Sequence, residues 1–388
     1  MSEVSRGAAI RFIVALGLIS LFADVAYEGA RSVNGPYLAQ LGANAAIIGI
    51  VSGAGELVGY MLRLLSGIAA DRTRRYWTLT IIGYIINLAA VPALALANHW
   101  TVAAALIIAE RAGKALRTPP RDVMLSQASH VVGRGWGFGL HEALDQTGAF
   151  LGPLLVAFVL KESHQYQRAY AALAIPAGCA LATLFISTRF FPDPSRFERS
   201  EEESIGDGRF PRVFWLYVAG ASLIAAGIVD FPLIAYHFQK TSITSPAMTP
   251  VFYAIAMGVE AIAALIFGRL FDRFGVPTLM LGVLMSAAAD PLVFLGTFWF
   301  ALAGMALWGA GMGALQSSLR AEIATLAPRE RGGAAYGIFN TAYGLLWFAG
   351  SAVAGVLYDR SVMAVAFFAM AAQLTALPIL FVVRREKA

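Results

Sequence analysis

Residues 67–75 read GIAADRTRR, and residues 268–275 read GRLFDRFG. Gly67 matches Gly268, Asp71 matches Asp272 and Arg72 matches Arg273, each 201 positions on. Both copies stand where a long apolar run meets a charged turn. A repeated acid-plus-base turn between hydrophobic runs predicts a membrane protein built as two similar halves.

Composition points the same way. The chain is 58% hydrophobic and 14% charged, with a mean hydropathy of +0.67, whereas a soluble domain carries about 25% charged residues. No soluble core hides that much apolar surface. The 388 residues, at roughly 30 per span and connection, leave room for about a dozen helices of some 20 apolar residues. A net charge of +5 would suggest nucleic acid in a soluble protein; here the placement of the charge matters more than its size, and no nucleic-acid partner is expected. Cys179 is the single cysteine, so neither an internal disulfide nor a thiolate metal site can form, and no cofactor is expected. The N-terminal MSEVSRGAAIRF leads into an apolar stretch, but Asp24, Glu28 and Arg31 follow without a small-residue cleavage pattern. It reads as a retained first helix rather than a signal segment.

Hydropathy and the punctuation of charge, Pro and Gly predict twelve transmembrane helices, an all-α architecture. The first six cover about 9–35, 45–70, 76–97, 100–122, 135–160 and 168–190, and the second six about 213–238, 250–271, 277–297, 299–324, 333–357 and 362–383. The chain thus divides into an N-terminal half, 1–190, a polar linker, 191–212, and a C-terminal half, 213–388. One alternate set of segments, including both termini and the linker, holds about 21 Lys and Arg; the other holds Lys161, Arg168, Lys240 and Arg360. Both termini are therefore expected to be cytoplasmic, in a multi-pass protein of a bacterial inner membrane whose partners are the lipid bilayer, a small-molecule substrate and protons. A monomer is expected. Residues 134–140 (RGWGFGL) align with 332–338 (GGAAYGI), and Gly152 with Gly350, each 198 apart. Six spans separate the copies, so the repeat is parallel.

These residues resemble the major facilitator superfamily. GIAADRTRR is similar to that family's signature between helices 2 and 3, and the degenerate second copy sits where the family carries one. Gly148, Gly152 and Pro153 in span 5 look like the GxxxGP motif of the family's antiporters. Arg111 matches the embedded Arg of its fourth helix, although Lys114-Ala115 replaces the usual Gln-Gly. The resemblance covers nearly the whole chain. It implies a twelve-helix secondary transporter in two pseudo-symmetric halves, not an enzyme.

Charges inside a membrane cost about 2.5–3.5 kcal/mol each on insertion scales and need a reason. Asp24, Glu28 and Arg31 follow i, i+4, i+7, so they share one helical face, which should line the cavity. A carboxylate in a low-dielectric cavity favours its protonated form, and a nearby cation opposes that. Asp24 or Glu28 is the expected proton carrier, with Arg31 as competing partner; a permanent Glu28–Arg31 ion pair is the alternative. Asp230, in Asp-Phe-Pro of span 7, falls roughly where the repeat would place a counterpart of Asp24.

Span 4 carries a basic stripe, Arg111, Lys114, Arg117 and Arg121, suited to an anionic or zwitterionic substrate. Arg117 and Arg121 lie beside Pro119-Pro120, where a membrane exit explains them. For Arg111 and Lys114 two readings stay open: substrate binding, or pairing with Glu56, Glu110, Glu142 or Asp145. His141-Glu142-Ala-Leu-Asp145 resembles half of a zinc-hydrolase pattern but lacks the second His, so an intramembrane metal-dependent hydrolase is a remote alternative; Glu142 and Asp145 are expected to meet the charges of spans 1 and 4 and share in proton coupling. Tyr27 joins Arg31, Arg111, Lys114 and Asp230 in the expected substrate site. Glu260 and Asp290 are expected to make interhelical pairs.

The expected mechanism is proton-coupled alternating access, exporting a small amphiphilic or anionic compound by antiport; the alternative is symport uptake of an organic anion. The resemblance implies that Gly67, Asp71, Arg72 and Arg75, with Asp272 and Arg273 in the second copy, form a conformational gate. In it Asp71 meets the N-terminus of helix 11, and Arg72 or Arg75 reaches Asp122, whose echo 200 positions later is Glu322.

Overall fold

A computed structural model describes residues 6–192, 210–326 and 332–387. Most of the expected linker, 193–209, lies outside the described residues, as does the turn at 327–331. The chain forms two compact units, one of Met1–Val33 with Val58–Glu202 and one of Asn34–Leu57 with Glu203–Ala388.

The described segments are helical throughout. In order they are α1 (Arg6–Arg31), α2 (Asn34–Gln40), α3 (Ala45–Thr73), α4 (Tyr76–Ala93), α5 (Trp100–Val132), α6 (Arg134–Ser163), α7 (Tyr166–Ala172), α8 (Ala174–Phe190), α9 (Arg212–Gly227), α10 (Phe231–Lys240), α11 (Met248–Phe274), α12 (Val276–Leu295), α13 (Phe298–Leu326), α14 (Gly332–Arg360) and α15 (Val362–Lys387). Among the described residues eleven stretches are long and apolar enough to cross a membrane. The twelfth expected span is α5, which is long enough at 33 residues but carries Glu110, Arg111, Lys114, Arg117, Arg121 and Asp122. These charges make it less apolar than the other spans, and Glu110 and Arg117 among them are buried in the protein.

α5 also runs ten residues past the expected end of span 4, straight through Pro119 and Pro120. Proline has no N–H for the carbonyl four residues back. Pro120 therefore deprives Leu116 of its helical donor, and the Ser66 hydroxyl of α3 donates to that Leu116 oxygen at 2.6 Å. With that carbonyl bonded, the helix continues.

Spans 1, 6 and 7 are broken. In span 7 the break at Ile228–Asp230 precedes Pro232, which takes an early position in α10. Its carbonyls are bonded by side chains from neighbouring helices: Gln373 Nε2 donates to Gly227 O at 3.1 Å and Trp308 Nε1 to Val229 O at 3.2 Å. Buried irregular backbone persists only with such partners.

The internal repeat is visible in packing. A Cβ on Gly152 would strike the Val25 carbonyl oxygen, and one on Gly350 the Ala226 carbonyl oxygen. On α5 a Cβ at Gly113 would meet Asn87 N, and on α13 one at Gly311 would meet Ser286 N at 2.8 Å. The ends of α3 and α11 match as well: Arg74 and Gly275 both have left-handed φ, 52° and 64°, and their N–H groups bond Ala70 O at 2.8 Å and Phe271 O at 2.7 Å. The two turns thus share a closing hydrogen bond and a positive φ, while α4 starts one residue later, at Tyr76, than the repeat of α12, at Val276, would place it.

Candidate functional site

The first unit places α1 against α5, and the polar faces of both meet. Asp24 and Glu28 are buried. Lys114 reaches between them, its Nζ 3.8 Å from Asp24 Oδ1 and 3.6 Å from Glu28 Oε1. The same ammonium lies 3.5 Å from the centroid of the Tyr27 ring, with the Arg111 guanidinium 5.1 Å from that ring. A cation over an aromatic face is stabilised further when desolvated. Lys114 is 21% exposed.

One turn further along α5 is Arg117, whose side chain is 0% exposed. Its Nη2 is 3.5 Å from Asp24 Oδ1, and its guanidinium stands 4.2 Å from the Tyr84 ring centroid. Nε and Nη1 have no hydrogen-bond partner. The expectation that Arg117 marks a membrane exit is therefore wrong: α5 continues beyond the prolines, which leaves Arg117 in the interior.

Two further groups flank this centre. Glu110, buried behind Arg111 at 3.8 Å, accepts from Asn87 Nδ2 at 2.8 Å. On the other side Arg121 donates to Ser20 Oγ at 3.0 Å and to Asp122 Oδ1 at 2.8 and 3.0 Å, and lies 4.0 Å from Asp145. His141 Nε2 is 3.0 Å from the same Ser20 oxygen. Since that hydroxyl accepts from Arg121, its own proton points to His141 or to Tyr84 OH, 3.5 Å away. Among the described residues no three His, Cys, Asp or Glu side chains converge as a metal site would require.

The expected site residues are distributed unevenly. Asp24, Tyr27, Glu28, Arg111 and Lys114 come together, and Asp145 joins through Arg121. Arg31 ends α1 on the same side. Glu142 is exposed and accepts from Gln146, one turn on in its own helix, at 2.9 Å. Lys114 pairs with the acids of α1, not with the four acids expected. Asp122 accepts from Arg121 through Oδ1; Arg72 and Arg75 are exposed near the turn, as are Asp71, Asp272 and Arg273. Gly67 lies against Pro119, a Cβ there coming 3.8 Å from the Pro119 Cβ, and Glu322 is buried. Gly148 is a close-contact residue, its Cβ position meeting the Leu21 carbonyl oxygen, and Pro153 follows Gly152 within α6.

The second unit differs. The Gly152–Val25 and Gly350–Ala226 contacts align α1 with α9 at an offset of 201, so Asp24 matches Ala225, Glu28 matches Val229, and Asp230 matches Gly29. Asp230 is thus not the counterpart of Asp24. Its carboxylate accepts from Trp347 Nε1 at 3.1 Å and Ser351 Oγ at 2.9 Å, tying the break of span 7 to α14. By the offset of 198 linking Gly113 and Gly311, Lys114 and Arg117 match Met312 and Leu315. The charged centre has an apolar echo. Glu260 accepts from Gln316 at 2.6 Å and Asp290 from Gln373 at 2.9 Å, so both embedded acids do make interhelical pairs, with amides as partners.

A family model described as Major Facilitator Superfamily matches residues 16–351 and 228–388. An uncharacterised protein of Mycobacterium tuberculosis is 40% identical over 381 residues, covering 96% of this chain and 93% of that protein. An uncharacterised MFS-type transporter of Methanocaldococcus jannaschii is 25% identical, covering 89% and 88%. Among solved structures the nucleoside transporter NupG aligns with a TM-score of 0.76 at 13% identity, over 96% of this chain and 98% of that one. An auto-inhibited POT family peptide transporter aligns at 0.75 and 15%, over 97% of each. At such identities these structures are similar in fold. With the family model spanning nearly the whole chain, the protein belongs to the major facilitator superfamily and is a multi-pass secondary transporter, not an enzyme.

Proposed function

We propose that the chain couples protons to the movement of a small organic anion by alternating access, in a bacterial inner membrane with both termini cytoplasmic, and that the α1–α5 centre is where the two meet. One observation carries the reading: a partly exposed lysine, Lys114, is shared by two buried carboxylates and an aromatic face. Its contacts of 3.6 and 3.8 Å are longer than a charge-assisted hydrogen bond, about 2.7–2.9 Å. A cargo carboxylate or phosphate that comes closer would displace them. Drawing Lys114 away removes one cation from beside a buried carboxylate of α1, which favours its protonated form. Anion and proton then bind together, which favours proton–anion symport. Arg111, Tyr27 and Arg31 extend the same binding surface, and Asp230, committed to Trp347 and Ser351, is assigned to holding the break in span 7.

The second reading is export by antiport, resting on the likeness of Gly148, Gly152 and Pro153 to the antiporter motif. Both glycines serve close packing of α6 on α1, a role compatible with either direction. The duplicated turn at Asp71 and Asp272 is read as a gate that biases which side is open; Asp71→Asn should alter accessibility labelling more than affinity. To separate the directions, organic anions are screened by thermal stabilisation of the purified protein, and the stabilising anion is followed in proteoliposomes made alkaline inside. Accumulation inside supports symport, expulsion supports antiport, and flux indifferent to the gradient refutes proton coupling.

A further inference from the structure

We propose that Asp359, the next-to-last residue of α14, is a positioning residue of transport. Its carboxylate, seated on the first two N–H groups of α3, latches the end of the protein away from the chain termini, and that end opens when those groups pass to water. The inference goes beyond the proposed function and rests on it only for calling the latched end the outer one, by the orientation proposed for the termini.

Glycines bring α3 and α14 together. A Cβ on Gly49 of α3 would strike the Ser351 carbonyl oxygen of α14, one on Gly53 would come 3.0 Å from Phe348 Cα, and one on Gly355 would strike the Ala45 carbonyl oxygen. By the order of spans, α3 begins and α14 finishes at the end away from the termini. There Gly35 of α2 also meets the Pro232 carbonyl oxygen of α10, so the short helices beyond the breaks of spans 1 and 7 touch as well. Residues Asn34–Leu57 accordingly belong to one compact unit with the C-terminal half, although the sequence repeat assigns them to the N-terminal half. Rocking of one half against the other requires these contacts to part.

The helix ends supply the releasable bond. The first four N–H groups of a helix lack partners within it. In α3 the Ala45 N–H donates to Asp359 Oδ1 at 3.3 Å and the Ala46 N–H to Asp359 Oδ2 at 3.1 Å. The Ile47 N–H donates to Asn44 Oδ1 at 3.0 Å and the Ile48 N–H to Asn44 O at 3.1 Å. An anion is favoured at a helix N-terminus and disfavoured at a C-terminus. Asp359 stands in the last turn of α14, against the dipole of its own helix, so its placement serves α3. Asp359 is exposed and Ala46 half-buried, which lets water replace both partners as the helices separate. The glycines set how close the helices come, and the carboxylate sets how readily they part.

Electron-spin distance measurements on the full chain in lipid nanodiscs test the latch without cargo or gradient. Spin labels are attached at Gln40→Cys, just before α3, and Met363→Cys, just after α14, both exposed positions, with Cys179→Ser removing the native thiol. Asp359→Ala should raise the ratio of long to short distances about fivefold or more. Asp359→Asn, which keeps an acceptor oxygen without the charge, should raise it less. Ala45→Pro removes one donor and leaves the carboxylate, at a helix position that tolerates proline, and should shift the ratio the same way. A distribution in Asp359→Ala unchanged from the wild type, or moved toward the short distance, overturns the inference. The expected shift without anion flux counts against the proposed function alone. The expected shift with Gln40→Cys labelled by an impermeant maleimide only from the side of the termini upholds the latch and overturns the name of its side.

Discussion

Ser66 Oγ donates to Leu116 O at 2.6 Å, making good the hydrogen bond that Pro120 cannot form. Ser66→Ala should therefore strand a half-buried carbonyl and cost about 1 kcal/mol, read as a lower unfolding temperature in detergent. Pro120→Ala restores the N–H, so Ser66→Ala in that background should cost much less. Equal losses in both backgrounds would show that the bond contributes nothing.

Gly152→Ala and Gly350→Ala should each destabilise the protein by about 1–3 kcal/mol, since each methyl would overpack a helix contact. Gly178, in α8 with nothing within 4 Å of its Cβ position, supplies the control. Gly178→Ala should leave the unfolding temperature unchanged or slightly raised, as alanine favours helix over glycine.

Lys114→Met should reduce proton-driven anion flux at least tenfold, corresponding to about 1.4 kcal/mol. Lys114→Arg should retain part of the flux, because the charge survives but the compact ammonium over Tyr27 is replaced by a planar fork. Initial rates in proteoliposomes check both; wild-type flux in Lys114→Met would remove Lys114 from the cargo path.

Cys179 is exposed and lies beside Leu21, Phe22, Leu151 and Ile175 in an apolar groove on α1, α6 and α8. In a bilayer that groove should hold lipid. Reconstituted protein should then resist a sulfonated maleimide, which stays in water, and react with an uncharged one that enters the bilayer. Mass spectrometry reads the adduct; rapid labelling by the charged reagent would place α8 against water.

The helices and the repeat were legible in the sequence because hydropathy and the two Asp-Arg turns are properties of contiguous residues. Asp24, Glu28 and Lys114 stood out for the same reason, as embedded charges at helical spacing. Arg117 did not. Pro119 and Pro120 read as a helix exit, and the hydroxyl that lets α5 continue comes from Ser66, 50 residues earlier. Asp122 shows a similar limit: its carboxylate accepts from the adjoining Arg121, a contact that sequence distance alone does not rank against the arginines of the turn. Asp230 was matched to Asp24 by approximate position, and only the glycine contacts of α6 and α14 fix the register that pairs it with Gly29.

At the equivalent glycines Gly152 and Gly350 an added Cβ would strike the main-chain oxygens of the equivalent residues Val25 and Ala226, yet the chemistry one turn away is ionic in one copy and hydrocarbon in the other. A duplicated gene keeping those glycines was free to diversify one copy while the other preserved the framework. Ala225, Val229, Met312 and Leu315 are accordingly the places where new selectivity could be written into this scaffold without moving a helix.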